Sequence, residues 1–152
     1  MKTKSIAAFL AILVFSNFVW AQSEPVKIGI ATILSGDLAI VGDNARKSVE
    51  AYQALFPNPR MKLIFEDARL TSMEGLRAYE KLIKVDKVHL AIAACTSNGT
   101  MAASALFQSA KTPVVSVSTG GSNIDNAGEY VFRIGNSDSL NGVEQANYFA
   151  AP

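Results

Sequence analysis

Side chains suited to catalysis are scarce in this sequence of 152 residues, which holds one cysteine, Cys95, and one histidine, His89. A single cysteine excludes an internal disulfide, so stability must come from packing. One thiol and one imidazole are too few ligands for a metal site, and no cofactor is expected. A Cys–His nucleophile pair fails on geometry, because six strand residues hold the two α-carbons about 20 Å apart. His89 reads as a strand-edge residue and Cys95 as a small packing or loop residue. The nucleophile-elbow pattern G-x-S-x-G is absent, as are a P-loop lysine pattern and G-x-G-x-x-G. Glu66 and Asp67 stand side by side in a strand, point to opposite faces and need not share a site. There is no internal repeat and no low-complexity tract.

Charge of one sign is also lacking. The chain has 14 basic and 13 acidic residues, and without Lys2 and Lys4 the balance is 12 to 13. Nucleic acid is therefore not an expected partner. No apolar run reaches the roughly 20 residues that cross a bilayer. The nearest candidate, Ile6 to Phe15, follows Lys2 and Lys4 and leads to Val19, Trp20 and Ala21, the pattern of a signal peptide over residues 1–21, cleaved before Gln22. Export to the periplasm, with no stable membrane insertion after signal cleavage, is the expectation. Removing residues 1–21 from 152 leaves 131, enough for one ordinary domain.

What is present is an alternation of strand and helix signals. An apolar run from Val26 to Ile33 ends at Ser35 and Gly36, where a strand gives way to a turn. From Asp43 to Phe56, apolar groups at Ala45, Val49, Tyr52 and Phe56 form one helical stripe, stopped by Pro57 and Pro59. Lys62 to Glu66 reads as a second strand. Thr71 and Glu74 have capping-box spacing before a helix whose apolar face is Leu76, Tyr79, Leu82 and Ile83, with Glu80 and Lys84 paired on the wet side. Leu90 to Ala94 is short and wholly apolar, as for a strand covered on both faces. An Ala-rich helix from about Thr100 to Ala110 and a strand from Pro113 to Val117 follow. Short connections between alternating strands and helices imply a parallel sheet with right-handed crossovers, an α/β doubly wound lobe.

In such sheets ligands bind beyond the carboxyl ends of the strands. Two loops there are equipped for it: Cys95-Thr96-Ser97-Asn98-Gly99 after the third strand, and Ser118-Thr119-Gly120-Gly121-Ser122-Asn123 after the fourth. Both are rich in hydroxyls, and their glycines let a ligand approach the backbone. Ser97 or Asn98 is expected to cap the following helix, whose free N–H groups attract an anion such as a carboxylate. The same residues are also common in turns and caps that bind nothing.

Taken in order, several segments resemble the type I periplasmic solute-binding proteins of the leucine/isoleucine/valine-binding kind. They are Val26-Lys27-Ile28-Gly29-Ile30, Leu34-Ser35-Gly36-Asp37-Leu38-Ala39 with Gly42-Asp43, and Glu66-Asp67-Ala68. The Ser97 loop, Pro113-Val114-Val115-Ser116-Val117-Ser118 and Phe132-Arg133-Ile134 with Ser137-Asp138 continue the series. The resemblance runs from Val26 to about Ala150. It implies a two-lobed protein that closes on a small-molecule ligand and presents it to the membrane permease of an ATP-driven (ABC) importer. It implies that Ser97 and the Ser118–Gly120 loop hold the ligand α-carboxylate in amino-acid binders, with Asn98 and Ser35 as further ligand-binding candidates. Two departures stand out. Val41 occupies a place where many members carry an aromatic residue, and Gly120 stands where amino-acid binders commonly offer a threonine hydroxyl. Urea, amides and other small polar molecules thus join amino acids as candidate ligands.

The resemblance divides the chain into the signal peptide at 1–21, a ligand-binding lobe at 22–129, and a crossover strand with the first helix of a truncated second lobe at 130–152. That helix, Leu140 to Ala150, would leave Val143 and Phe149 without a home in a single-lobe protein. The expected function is solute binding without catalysis. A ligand-sensing receptor ectodomain is the alternative, and a nucleotide or phosphate enzyme using Thr119-Gly120-Gly121-Ser122 as a cradle is a third reading.

Overall fold

A computed structural model describes residues 24–151; the signal-peptide expectation at residues 1–21 falls outside that span. Five strands, β1 (Val26–Thr32), β2 (Met61–Asp67), β3 (Leu90–Ala94), β4 (Val114–Ser116) and β5 (Val131–Arg133), form one sheet in the order β2-β1-β3-β4-β5. Every pairing is parallel, with Val26 opposite Met61, Ile28 opposite Leu90, Ala91 opposite Val114 and Val114 opposite Val131. The α/β parallel lobe expected from the alternation is what the chain forms. Parallel neighbours need a crossover connection, and helices supply most of them: α1 (Ala39–Leu55), α2 (Ser72–Glu80, continued by a π-helical turn at Lys81–Val85), α3 (Ser97–Ala102) and α4 (Ser104–Ala110). A 3₁₀ turn at Ser122–Asn126 leads to β5, and α5 (Asp138–Ala150) follows it.

The core lies between the sheet and α2–α4. Tyr79 and Leu82 from the second helical segment and Phe107 from α4 are fully buried against Ala31, Ala91, Ala93 and Val114 of the strands. Burying each of the three large side chains contributes about 1.5–3 kcal/mol. The Tyr79 and Phe107 rings meet edge to face with centroids 4.8 Å apart, an arrangement aromatic quadrupoles favour. Backbone approaches backbone closely where α2 crosses α3: a Cβ on Gly75 would stand 2.5 Å from Gly99 Cα.

Local chemistry explains where α2 starts. Thr71 Oγ1 accepts the Glu74 N–H (3.2 Å), and the Glu74 carboxylate accepts the Thr71 hydroxyl (2.8 Å). Lys84 donates to Glu80 across 2.6 Å on the exposed side, as the spacing predicts.

Four expectations need correction. The stripe on α1 is only partly covered, since Tyr52 and Phe56 are 62% and 61% exposed and stack on each other with centroids 4.9 Å apart. The helix also starts at Ala39, ahead of Asp43. Nor is β3 sealed on both faces: Ala91 and Ala93 are buried against the α2–α4 side, while Leu90, Ile92 and Ala94 are half-buried. Finally, the single helix expected from Thr100 to Ala110 begins at Ser97 and breaks at Ala103. Thr100 Oγ1 donates back to the Thr96 carbonyl (3.2 Å), a bond that competes with helical hydrogen bonding and bends short helices. Among the described residues no helix is long and apolar enough to cross a membrane.

Candidate functional site

The loops leaving β1, β2, β3 and β4 gather along one rim of the sheet, and two separate hydrogen-bonded clusters organise them. The first sits at β1 and β2. The Asp67 carboxylate accepts the Ser35 hydroxyl (2.5 Å) through Oδ2 and the Leu34 and Arg69 N–H groups (2.9 and 3.1 Å) through Oδ1. Burial alone would raise the Asp67 carboxyl, but these donors and the Arg69 charge outweigh it and hold the group below the ordinary aspartate range. Ser35 spends its proton on Asp67 and can offer a ligand only an acceptor. Gly36 turns the chain with φ +82°, which suits glycine.

The second cluster joins the β3 and β4 loops. The Gly121 N–H donates to Ser97 Oγ across 3.0 Å, linking two residues far apart in sequence. Ser97 is the first residue of α3, and the cap is Thr96, whose Oγ1 accepts the Gly99 N–H (3.1 Å). Neither Ser97 nor Asn98 makes that cap; Ser97 lies too far along the chain and turns toward Gly121. With its acceptor side used by Gly121, the Ser97 hydroxyl keeps its proton for another partner. Asn98 is exposed beside it.

Behind the β4 loop lies a cavity of about 230 Å³, lined by Ser116, Ser118, Thr119, Gly120, Arg133 and Asp138 among others. Three of the sequence-predicted residues, Ser118, Thr119 and Gly120, therefore share one recess. Ser97 abuts it through Gly121, whereas Asn98 and Ser35 lie outside its lining. Ser116 is fully buried and Thr119 is 3% exposed, yet neither hydroxyl has a hydrogen-bond partner among the described residues. Arg133 donates to the Gly121 carbonyl (3.1 Å) and pairs with Asp125 (2.5 Å). The Asp138 N–H donates to the Gly120 carbonyl (2.8 Å), pinning the start of α5 to the β4 loop.

Ser116, Arg133 and Asp138 were not anticipated as site residues. Arg133 and Asp138 belong to the segments Phe132-Arg133-Ile134 and Ser137-Asp138 that carry the family resemblance, but nothing in their own neighbourhood says that they fold back against Gly120. Ser116 reads as a strand residue, and its unpartnered state exists only in three dimensions.

The cysteine offers no nucleophile. Cys95 is buried beside the Tyr79 hydroxyl (3.4 Å), and burial pushes its thiol up, away from the reactive thiolate. His89 stands at the opposite end of the strand, its Nδ1 accepting the Lys27 N–H (3.0 Å).

A family model described as periplasmic binding protein matches residues 25–151. Comparison with curated proteins finds no match. Among solved structures, a leucine-binding protein from Thermotoga maritima is 20% identical with a TM-score of 0.73, covering 81% of this chain and 36% of its own. The substrate-binding protein of a branched-chain amino acid transporter from Streptococcus pneumoniae, solved in complex with isoleucine, is 25% identical with a TM-score of 0.71, covering 84% and 38%. A solute-binding protein of an ABC transporter from Rhodopseudomonas palustris, in complex with 4-hydroxybenzoate, is 21% identical with a TM-score of 0.73, covering 84% and 37%. The chain thus spans little more than a third of the length of these structures.

Proposed function

This chain belongs to the periplasmic binding protein family, and on that basis we propose that it forms the first lobe of the solute-binding component of an ATP-driven importer. In this reading the chain works in the periplasm after removal of a leader at residues 1–21, takes up a small polar ligand and delivers it to a membrane permease. The observation that carries the proposal is the join between Ser97 and Gly121, which brings two donor-bearing loops to one rim beside a cavity with two unpartnered hydroxyls. Buried hydroxyls without partners are costly, about 1–3 kcal/mol each, and a polar ligand or the water it displaces relieves that cost.

Ser97, Ser118, Thr119 and Gly120 are the contacts assigned to the ligand. Asn98 stands at the exposed edge, and Ser35 serves only as an acceptor. The mechanism needs no bond chemistry. A ligand docks on this lobe, and a second lobe closing over it shifts an equilibrium between open and closed forms. The relatives named above were solved with isoleucine and with 4-hydroxybenzoate, so both amino acids and aromatic acids belong in the search for a ligand, together with amides and urea.

Calorimetry on the full-length protein with that panel tests the proposal. Ser97→Ala removes one donor from the ligand and orphans the Gly121 N–H, and it is expected to weaken binding about tenfold or more. Unchanged affinity in that variant overturns the placement of the site.

A further inference from the structure

The hydroxyl of Tyr79 is a polar group set inside the core, and packing gives no reason for it. The ring alone fills the space between α2 and the sheet and meets Phe107 edge to face; phenylalanine would do both. Burial keeps the Tyr79 hydroxyl protonated, well above the ordinary tyrosine value. It therefore has one proton to donate, and a buried donor is costly unless it finds an acceptor.

Its partners flank the segment that carries Ser97. Tyr79 Oη lies 3.3 Å from Thr100 Oγ1 and 3.4 Å from Cys95 Sγ. Thr100 Oγ1 gives its own proton to the Thr96 carbonyl (3.2 Å), which leaves it an acceptor toward Tyr79. The same carbonyl accepts the Thr100 N–H (3.1 Å). A relay thus runs from Tyr79 through Thr100 to the Thr96 carbonyl, and that carbonyl belongs to the peptide group whose nitrogen is that of Ser97. Peptide groups are planar, so holding the carbonyl holds the plane from which Ser97 departs. Ser97 Oγ in turn accepts the Gly121 N–H (3.0 Å). Tyr79 and Thr100 are fully buried, which shields the relay from competing water.

Resting on the solute-binding reading, we infer that Tyr79 is a positioning residue for the ligand site, setting from the core, through Thr100 and the Thr96 carbonyl, where the Ser97 hydroxyl stands. Tyr79 lines no part of the cavity behind the β4 loop. Its ring serves the core, and its hydroxyl serves the rim.

The test uses the full-length protein and Tyr79→Phe, which removes the hydroxyl and keeps the ring. Without ligand, hydrogen exchange followed by NMR should speed at the Gly121 amide by about threefold or more relative to the Val114 amide, which is bonded to the Tyr130 carbonyl in the sheet. A role confined to core stability would move both amides alike. Calorimetry with isoleucine, 4-hydroxybenzoate, acetamide and urea should show the tightest binder weakened about threefold to tenfold. In a Ser97→Ala background Tyr79→Phe should weaken it no further, because the group it positions is gone. Thr100→Val breaks the same relay and should reproduce both effects, while Thr100→Ser should restore the parental behaviour; this pair replaces Tyr79→Phe if circular dichroism shows that variant unfolded. A Gly121 amide that moves no more than Val114, an unchanged affinity, or losses that multiply in the double variant overturns this inference, and the solute-binding reading stands as long as Ser97→Ala itself weakens binding. Absence of binding by all four compounds overturns both.

Discussion

The crossing of α2 and α3 allows a substitution whose sign is set by geometry against propensity. Gly75 is buried inside α2, and alanine there would ordinarily stabilise a helix by about 1 kcal/mol. Here the added methyl would meet Gly99 Cα at 2.5 Å, Gly99 C at 3.1 Å and Gly99 O at 3.2 Å. Ordinary carbon contacts begin near 3.5 Å, so the two helices must separate by about 1 Å. Backbone faces backbone, and no flexible side chain can swing aside. Overpacking of this kind costs about 1–3 kcal/mol, and after the propensity gain the net expectation is a loss of about 1 kcal/mol, up to about 2. Urea unfolding followed by far-ultraviolet circular dichroism measures it as a lower midpoint at unchanged slope. Arg77→Ala, an exposed position on the same helix, is the control and is expected to stay within about 0.5 kcal/mol. Because Ser97 opens α3, the displacement should also speed hydrogen exchange at the Gly121 amide. A Gly75→Ala protein as stable as the parent, or more so, refutes the close crossing.

Three further outcomes follow from the same structure. Asp67→Asn should destabilise the protein near neutral pH. The Asp67 carboxyl is depressed in the folded state, so its contribution is present above the unfolded aspartate value and is lost as pH falls through the lower folded value. Denaturant titrations should accordingly show parent and variant converging at acid pH, and parallel profiles would contradict the cluster. Thr96→Ala removes the acceptor of the Gly99 N–H and should cost about 0.5–2 kcal/mol, with Thr96→Ser recovering most of it in the same unfolding assay. Cys95 is buried with its thiol pushed up, so an aromatic disulfide reagent should modify it far more slowly in buffer than in concentrated urea; equal rates would show the thiol to be open.

The parts of this fold that were readable in advance are those decided by neighbours in sequence. The spacing of Tyr79 and Leu82 marks a core face, Glu80 and Lys84 pair across one turn, and alternating strand and helix signals imply the parallel sheet that forms. The cap of α3 was misplaced because Thr96, Ser97 and Asn98 are all competent caps, and only the path of the chain selects Thr96. Tyr52 and Phe56 mark an apolar face correctly, but spacing does not say what covers it. The recess is harder still. Gly120 is legible as a flexible turn residue, yet its lack of room comes from Asp138, which reaches it through β5 and the start of α5. A site built between segments that meet only after the sheet has closed leaves no local pattern.

The place of β1 between β2 and β3 bears on how the chain reaches its native state. The first strand among the described residues pairs with β2 only after α1 has been made, and with β3 only after α2. Each sheet contact therefore closes a long loop of chain before any burial rewards it, a topology associated with slow assembly. Until β3 arrives, one flank of β1 presents unpaired amide and carbonyl groups, the feature by which nascent chains stick to one another. The pairing of Leu90–Ala94 with Ile28–Thr32 is what closes that flank.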